Sequence, residues 1–159
     1  MKLSELVRPE TVRTQVSVAD RREVLALIAG CLADVGAVND GFLPAALSRE
    51  ETSPTGLYLG DRDVNAAIPH AEREHVLASA VMVVTLAEPV EFGRMDDPQA
   101  VVPVRLVISP AIAEPGGQVE ALVGISTILQ EPTLVADLVA AATPDDVLAI
   151  LREREQEQP

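Results

Sequence analysis

Aromatic side chains are scarce in this chain: Phe42, Tyr58 and Phe92 are all it has in 159 residues. A platform on which nucleic-acid bases could stack is therefore missing. Basic residues are also few, 12 against 25 acidic ones, for a formal charge of −13. Nucleic-acid binding depends on cations that displace counterions from phosphates, and this field has the opposite sign. Nucleic acid is excluded as a main partner. A single cysteine, Cys31, cannot close an internal disulfide, which suits a reducing compartment and leads us to expect a cytoplasmic protein. With only two histidines beside it and no pair at helical ligand spacing, no metal site is expected. Long hydrophobic runs are missing too. The longest, Val24 to Ala33, is ten residues, about half of a membrane-spanning helix. The start, Met1-Lys2-Leu3-Ser4-Glu5, lacks the apolar stretch of a secretion signal. Direct membrane insertion is not expected. Neither a GxGxxG nor a Walker A sequence occurs, so no nucleotide loop is indicated and no cofactor is expected.

What is present is enough apolar material, 48% of the residues, to fill a core, and a length that suits a single domain over residues 1–159. Thr11 to Val18 alternates and is rich in β-branched residues, as a strand does. Asp20-Arg21-Arg22-Glu23 has the form of a capping box. Val24, Leu25, Leu27, Ile28, Cys31, Leu32 and Val35 follow at helical spacing, and Gly36 sits where a left-handed terminator belongs. Asp40 is expected to cap a second helix through Glu51, and Thr52 to Asp63 reads mainly as loop. Val64 to Ile68 is a short strand stopped by Pro69. Ala80 to Leu86 and Val101 to Ile108 are β-rich, the first apolar on both faces, with a turn at Met95-Asp96-Asp97-Pro98. Helices are expected over Gln118 to Gln130, after Pro132, and after Thr143-Pro144-Asp145-Asp146, the last ending in a frayed tail over 152–159. This mixture predicts an α/β fold, a three-layer domain with a mixed β-sheet flanked by helices on both faces.

Ile68-Pro69-His70 is the segment richest in chemical potential. A histidine directly after an apolar strand lies at a sheet edge, where chemistry collects in open α/β folds. Pro69 stiffens the backbone that presents it, and a neutral imidazole nitrogen is a competent nucleophile. Spacing alone also allows a histidine that only satisfies a hydrogen bond. Arg49, late in the second helix, could either favour the helix dipole or fork onto phosphate oxygens. His75, five residues beyond His70, is read as structural, a cap or orienting partner. Ser53 and Ser126 lack the context of an activated nucleophile.

Taken together, Arg49-Glu50-Glu51, Pro54-Thr55-Gly56-Leu57, Ala67-Ile68-Pro69-His70 and Glu88-Pro89-Val90-Glu91-Phe92-Gly93 form an ordered set. They resemble the enzyme IIA domain of the bacterial sugar phosphotransferase system, fructose–mannitol class, over residues 5 to 151. The resemblance implies a mixed sheet between helices and a phosphocarrier activity. His70 would accept a phosphoryl group from the histidine-containing phosphocarrier protein and pass it to a cysteine of a cognate enzyme IIB, which serves a membrane permease component. Arg49 matches the family's active-site arginine.

Many members of the class carry a second active-site histidine where this chain has Gln118, in Gly116-Gly117-Gln118-Val119. With Ser53-Pro54-Thr55-Gly56, that departure looks most like the galactitol-type branch. Gln118 is either a hydrogen-bond donor in place of that histidine or simply a first-turn residue. Two other roles remain open: a regulatory paralogue that controls a partner through the phosphorylation state of His70, and a degenerate paralogue without chemistry. The acidic surface would steer the domain toward a basic carrier, and Leu57, Tyr58 and Leu59 are candidates for an apolar rim.

Overall fold

The computed structural model describes residues 2–60 and 64–157. Met1, Gln158, Pro159 and the Asp61 to Asp63 end of the expected loop lie outside the described residues. The strands are β1 (Val12–Val16), β2 (Gly56–Leu57), β3 (Asn65–Ala67), β4 (Ala80–Gly93) and β5 (Val101–Ala111), ordered β1-β4-β5-β3-β2 in one mixed sheet. Strand β4 runs parallel to β1 and antiparallel to β5; β3 runs parallel to β5 and antiparallel to β2. Helices α1 (Arg21–Asp34) and α2 (Phe42–Thr52) cover one face. Helices α3 (Gly117–Leu129), α4 (Pro132–Ala140) and α5 (Pro144–Glu157) cover the other. The three-layer mixed α/β arrangement is the one the sequence predicts.

The centre of the sheet explains the continuous apolar run in β4. Val81 and Val83 enter the core under α3 to α5, while Met82 and Val84 enter the core under α1 and α2. A strand covered twice cannot alternate with polar residues, and each such side chain contributes about 1.5–3 kcal/mol relative to exposure. No single helix among the described residues is long and apolar enough to cross a membrane.

Local signals set the helix ends. Asp20 accepts the Glu23 amide at 3.0 Å, while the Glu23 carboxylate takes the amide of Ala19, one residue before the cap. At the far end Gly36 adopts φ +73°, and the amides of Gly36 and Ala37 return to the carbonyls of Ala33 and Leu32. That paired return is the Schellman closure, which needs a residue free to be left-handed. Asp40 does not cap α2. The Asn39 Oδ1 instead accepts the Gly41 amide at 2.9 Å, forming an Asx turn ahead of a helix whose cap is Gly41.

Other expected boundaries shift for identifiable reasons. β1 keeps only Val12–Val16, because Thr11 closes a 3-10 turn and Gln15, at φ +54°, disrupts the ladder. β4 continues past Leu86 to Gly93 because the register shift between Thr85 and Val90 takes up Pro89, and a bulge tolerates a missing amide donor. β5 likewise runs through Pro110 to Ala111, and the loop after α2 contains the short β2. In the segment expected to be a tail, Arg152 to Glu157 continues α5, with Arg154 bonded to Glu131 at 2.8 Å and Asp137 at 3.2 Å.

The site is positioned by the parallel pair β3 and β5. Ala67 pairs with Val107, so the chain leaving β3 runs beside the end of β5. The segment after β5 turns into α3, whose second residue is Gln118. His70 and the start of α3 therefore leave the sheet at the same edge.

Candidate active site

His70 is held by three backbone anchors. The Ile68 amide donates to the Thr55 carbonyl at 3.3 Å, and the buried Ser109 hydroxyl donates to the Pro69 carbonyl at 2.6 Å. The third is the ring itself, whose Nδ1 lies 2.8 Å from the Ile68 carbonyl oxygen. A carbonyl only accepts, so Nδ1 carries the proton and Nε2 holds the free lone pair. The residue is only 7% exposed. Burial pushes its pKa below the ordinary 6.5; the Ile68 hydrogen bond opposes this, the Arg49 cation adds to it, and Glu72 opposes it. The ring is neutral near pH 7.

Arg49 stands in the last turn of α2. The helix stops at Thr52 because Pro54 cannot continue it and keeps Ser53 out of helical backbone, φ −139° and ψ 74°. The Arg49 guanidinium donates from one terminal nitrogen to the Glu72 carboxylate at 3.0 Å, across the mouth of the site. Its Nε is buried and, among the described residues, lacks a hydrogen-bond partner. Arg49 and His70 are thus brought into electrostatic contact, with a cation holding unused donor capacity beside a neutral nucleophile. Gln118 is on the same edge but less tightly placed. Its side-chain amide donates to the Pro110 carbonyl at 3.4 Å, next along the chain from Ser109, which anchors Pro69.

His75 lies in a 3-10 turn against the start of α2. Its carbonyl accepts the Asn39 amide, and a Cβ on Gly41 would strike its ring. It belongs to the packing of that corner. Of the suggested apolar rim only Tyr58 is open, 51% exposed, with the Arg94 guanidinium 4.9 Å above its ring; Leu57 and Leu59 pack against the core. Among the described residues no cluster of three or more potential ligands could hold a metal ion.

Two side chains at this edge escaped sequence reasoning. Glu50 is 5% exposed; its Oε1 accepts the Thr55 amide at 3.2 Å and its Oε2 the Thr55 hydroxyl at 2.7 Å. Burial raises its pKa, against the Thr55 hydrogen bonds and the Arg21 and Arg49 cations. The signal was available: Phe42, Ala46 and Glu50 form the buried i, i+4 stripe of α2, and a carboxylate on such a stripe needs a partner. Ser109 was the second, a hydroxyl within an apolar strand.

The sequence segments scattered along the chain meet here. Pro54 lies against Gly93, and Gly56 sits so close to the Gly93 carbonyl that no side chain fits between them. A buried histidine beside an underused guanidinium, on the edge of the sheet, is an arrangement chemically able to receive an anionic group near a ring nitrogen. Residues 5–154 match the family "Phosphoenolpyruvate-dependent sugar phosphotransferase system, EIIA 2", and the chain belongs to it. It is a phosphocarrier component of the sugar phosphotransferase system, with a role in phosphoryl transfer. The galactitol-specific EIIA component of Escherichia coli (strain K12) is 34% identical over 128 residues, covering 80% of this chain and 83% of that protein. The crystal structure of mannitol IIA from Escherichia coli superposes with a TM-score of 0.73 at 25% identity, covering 91% of this chain and 97% of that one. Mannitol enzyme IIA in its complex with phosphorylated enzyme IIB from Escherichia coli shares the fold, with a TM-score of 0.75 at 24% identity and coverage of 94% and 100%.

Proposed function

We propose that His70 accepts a phosphoryl group from the histidine-containing phosphocarrier protein and donates it to a cysteine of a cognate enzyme IIB during sugar uptake, in the cytoplasm. The observation that carries this reading is the Nδ1–Ile68 hydrogen bond at 2.8 Å, which leaves Nε2 as the nucleophilic nitrogen. In acceptance, the Nε2 lone pair forms the new N–P bond as the donor's N–P bond breaks, and that electron pair returns to the donor ring. The proton stays on Nδ1, donated in a hydrogen bond to the Ile68 carbonyl, which stabilises the charge gained by the ring. In donation, a cysteine thiolate forms an S–P bond, and the N–P electrons return to His70.

The protein's contribution is position and charge. Arg49 neutralises the phosphoryl oxygens with donors that Glu72 does not occupy. Gln118 offers one amide hydrogen bond, weaker than a charged imidazole would give. The galactitol-specific relative supports galactitol or a similar alditol as the transported sugar. The mannitol IIA–IIB complex of the same fold supports an enzyme IIB as the receiving partner. The chain's charge of −13 favours encounter with a basic carrier surface.

The test is incubation with phosphoenolpyruvate, enzyme I and the phosphocarrier protein, followed by intact mass spectrometry at mildly alkaline pH. Wild type should gain one phosphoryl group and His70→Ala none. Full phosphorylation of His70→Ala would place the acceptor elsewhere.

A further inference from the structure

Resting on the reading of His70 as acceptor, we propose that Glu50 is a positioning residue for phosphoryl transfer: by clamping Thr55 at two atoms it fixes the Ile68 carbonyl that keeps the His70 proton on Nδ1 and Nε2 free.

The chain of contacts is continuous. Glu50 takes both the amide and the hydroxyl of Thr55, and the remaining polar atom of Thr55, its carbonyl, accepts the Ile68 amide at 3.3 Å. Every polar atom of Thr55 is thus committed either to Glu50 or to the backbone that presents the histidine. The Ile68 carbonyl then fixes the ring at 2.8 Å. Burying a carboxylate on the apolar stripe of α2 is unfavourable unless its oxygens are satisfied. An apolar residue after Phe42 and Ala46 would pack without that cost, but it could not grip Thr55. Glu50 also follows Arg49 directly in sequence, so the same turn of α2 that delivers the guanidinium sets the loop opposite it. Small displacements of a reacting atom are expensive in rate, and a ring that loses its Ile68 acceptor can place its proton on Nε2, where it blocks attack.

The test compares Glu50→Ala, Glu50→Gln and Thr55→Val with wild type in two measurements. Long-range ¹H–¹⁵N spectra of the free protein report the His70 tautomer and need no phosphoryl donor. Single-turnover transfer from phosphorylated carrier reports the rate and the carrier's half-saturation. Glu50→Ala and Thr55→Val should give a mixed tautomer and a maximal rate lower by about tenfold or more, with half-saturation unchanged. Glu50→Gln, whose amide can still engage both Thr55 atoms, should stay within about twofold of wild type. Should Glu50→Ala not fold, Thr55→Val, which exchanges only the hydroxyl for a methyl, decides. A pure Nδ1–H ring and wild-type rate in the folded variants would overturn the proposal, as would a Glu50→Gln protein as slow as Glu50→Ala. Phosphorylation of His70→Ala in the same assay would instead overturn the acceptor assignment, leaving the tautomer result to judge Glu50 alone.

Discussion

The Arg49 guanidinium donates to the Glu72 carboxylate at 3.0 Å, and the two act on His70 in opposite senses. The cation lowers the imidazole pKa and the anion raises it. Arg49→Gln should therefore raise the His70 pKa, and Glu72→Gln should lower it. Ring-proton NMR titration checks both signs. The pair itself is partly exposed to solvent, and its loss should alter stability by no more than about 1 kcal/mol.

A lowered His70 pKa also sets the acid limb of phosphoryl acceptance. Burial keeps the folded value below 6.5, so at pH 6.5 more than half of the molecules hold a neutral ring. Acceptance should retain more than half of its plateau rate there, with the carrier held phosphorylated in separate preparation. The linked stability has a definite sign. Between the folded pKa and 6.5 the unfolded chain binds more protons, so stability falls as pH drops through that window. Glu50 behaves oppositely: its raised pKa makes the folded state bind more protons above 4.5, so its effect weakens stability as pH rises toward its folded value. His70→Gln should flatten the first dependence in denaturant titrations and leave the second.

Arg49 and Gln118 should differ sharply in their kinetic weight. Removing a preorganised donor from developing charge costs about 10²–10³ in rate, and Arg49→Ala should fall near the lower end. Arg49→Lys should recover little, since an ammonium cannot reproduce the planar fork. Gln118, held only by a 3.4 Å bond to Pro110, is less preorganised, and Gln118→Ala should slow transfer only a few-fold. Single-turnover rates from phosphorylated carrier separate them.

Much of this fold can be read from periodicity. The apolar β4 run, the capped α1 with Gly36 at its end, and the Ile68-Pro69-His70 exit from β3 are each dictated by neighbours in sequence. The strand extensions were not legible, because Pro89 and Pro110 suppress strand propensity locally while pairing to β5 and β4 overrides it. The start of α2 is set by the Asn39 Asx turn and a Gly41 cap rather than by Asp40, because Asn39 is held by a contact with the turn at His75. Within the site, His70 and Arg49 carry motifs, whereas Ser109 and Thr55 act through contacts 40 and 13 residues away from the segments they secure. Spacing along the chain does not encode such pairings.

Three glycines give a direct test of the packing at the site. At Gly56 a Cβ would run into the Gly93 carbonyl and the Val102 side chain, and the first of these is backbone that cannot yield cheaply. Gly56→Ala should destabilise the protein by about 1–3 kcal/mol and, by spreading the Thr55–Gly56 loop from β4, loosen the anchor on Ile68. At Gly30 in α1 and Gly124 in α3 the added Cβ meets nothing within 4 Å. There the same substitution removes unfolded-state freedom and improves helix propensity, so each should stabilise by about 0.5–1 kcal/mol. Thermal melts should thus move in opposite directions for one chemical change. Only Gly56→Ala should also disturb the His70 ¹⁵N spectrum, because of these three positions only Gly56 touches the framework that holds the ring.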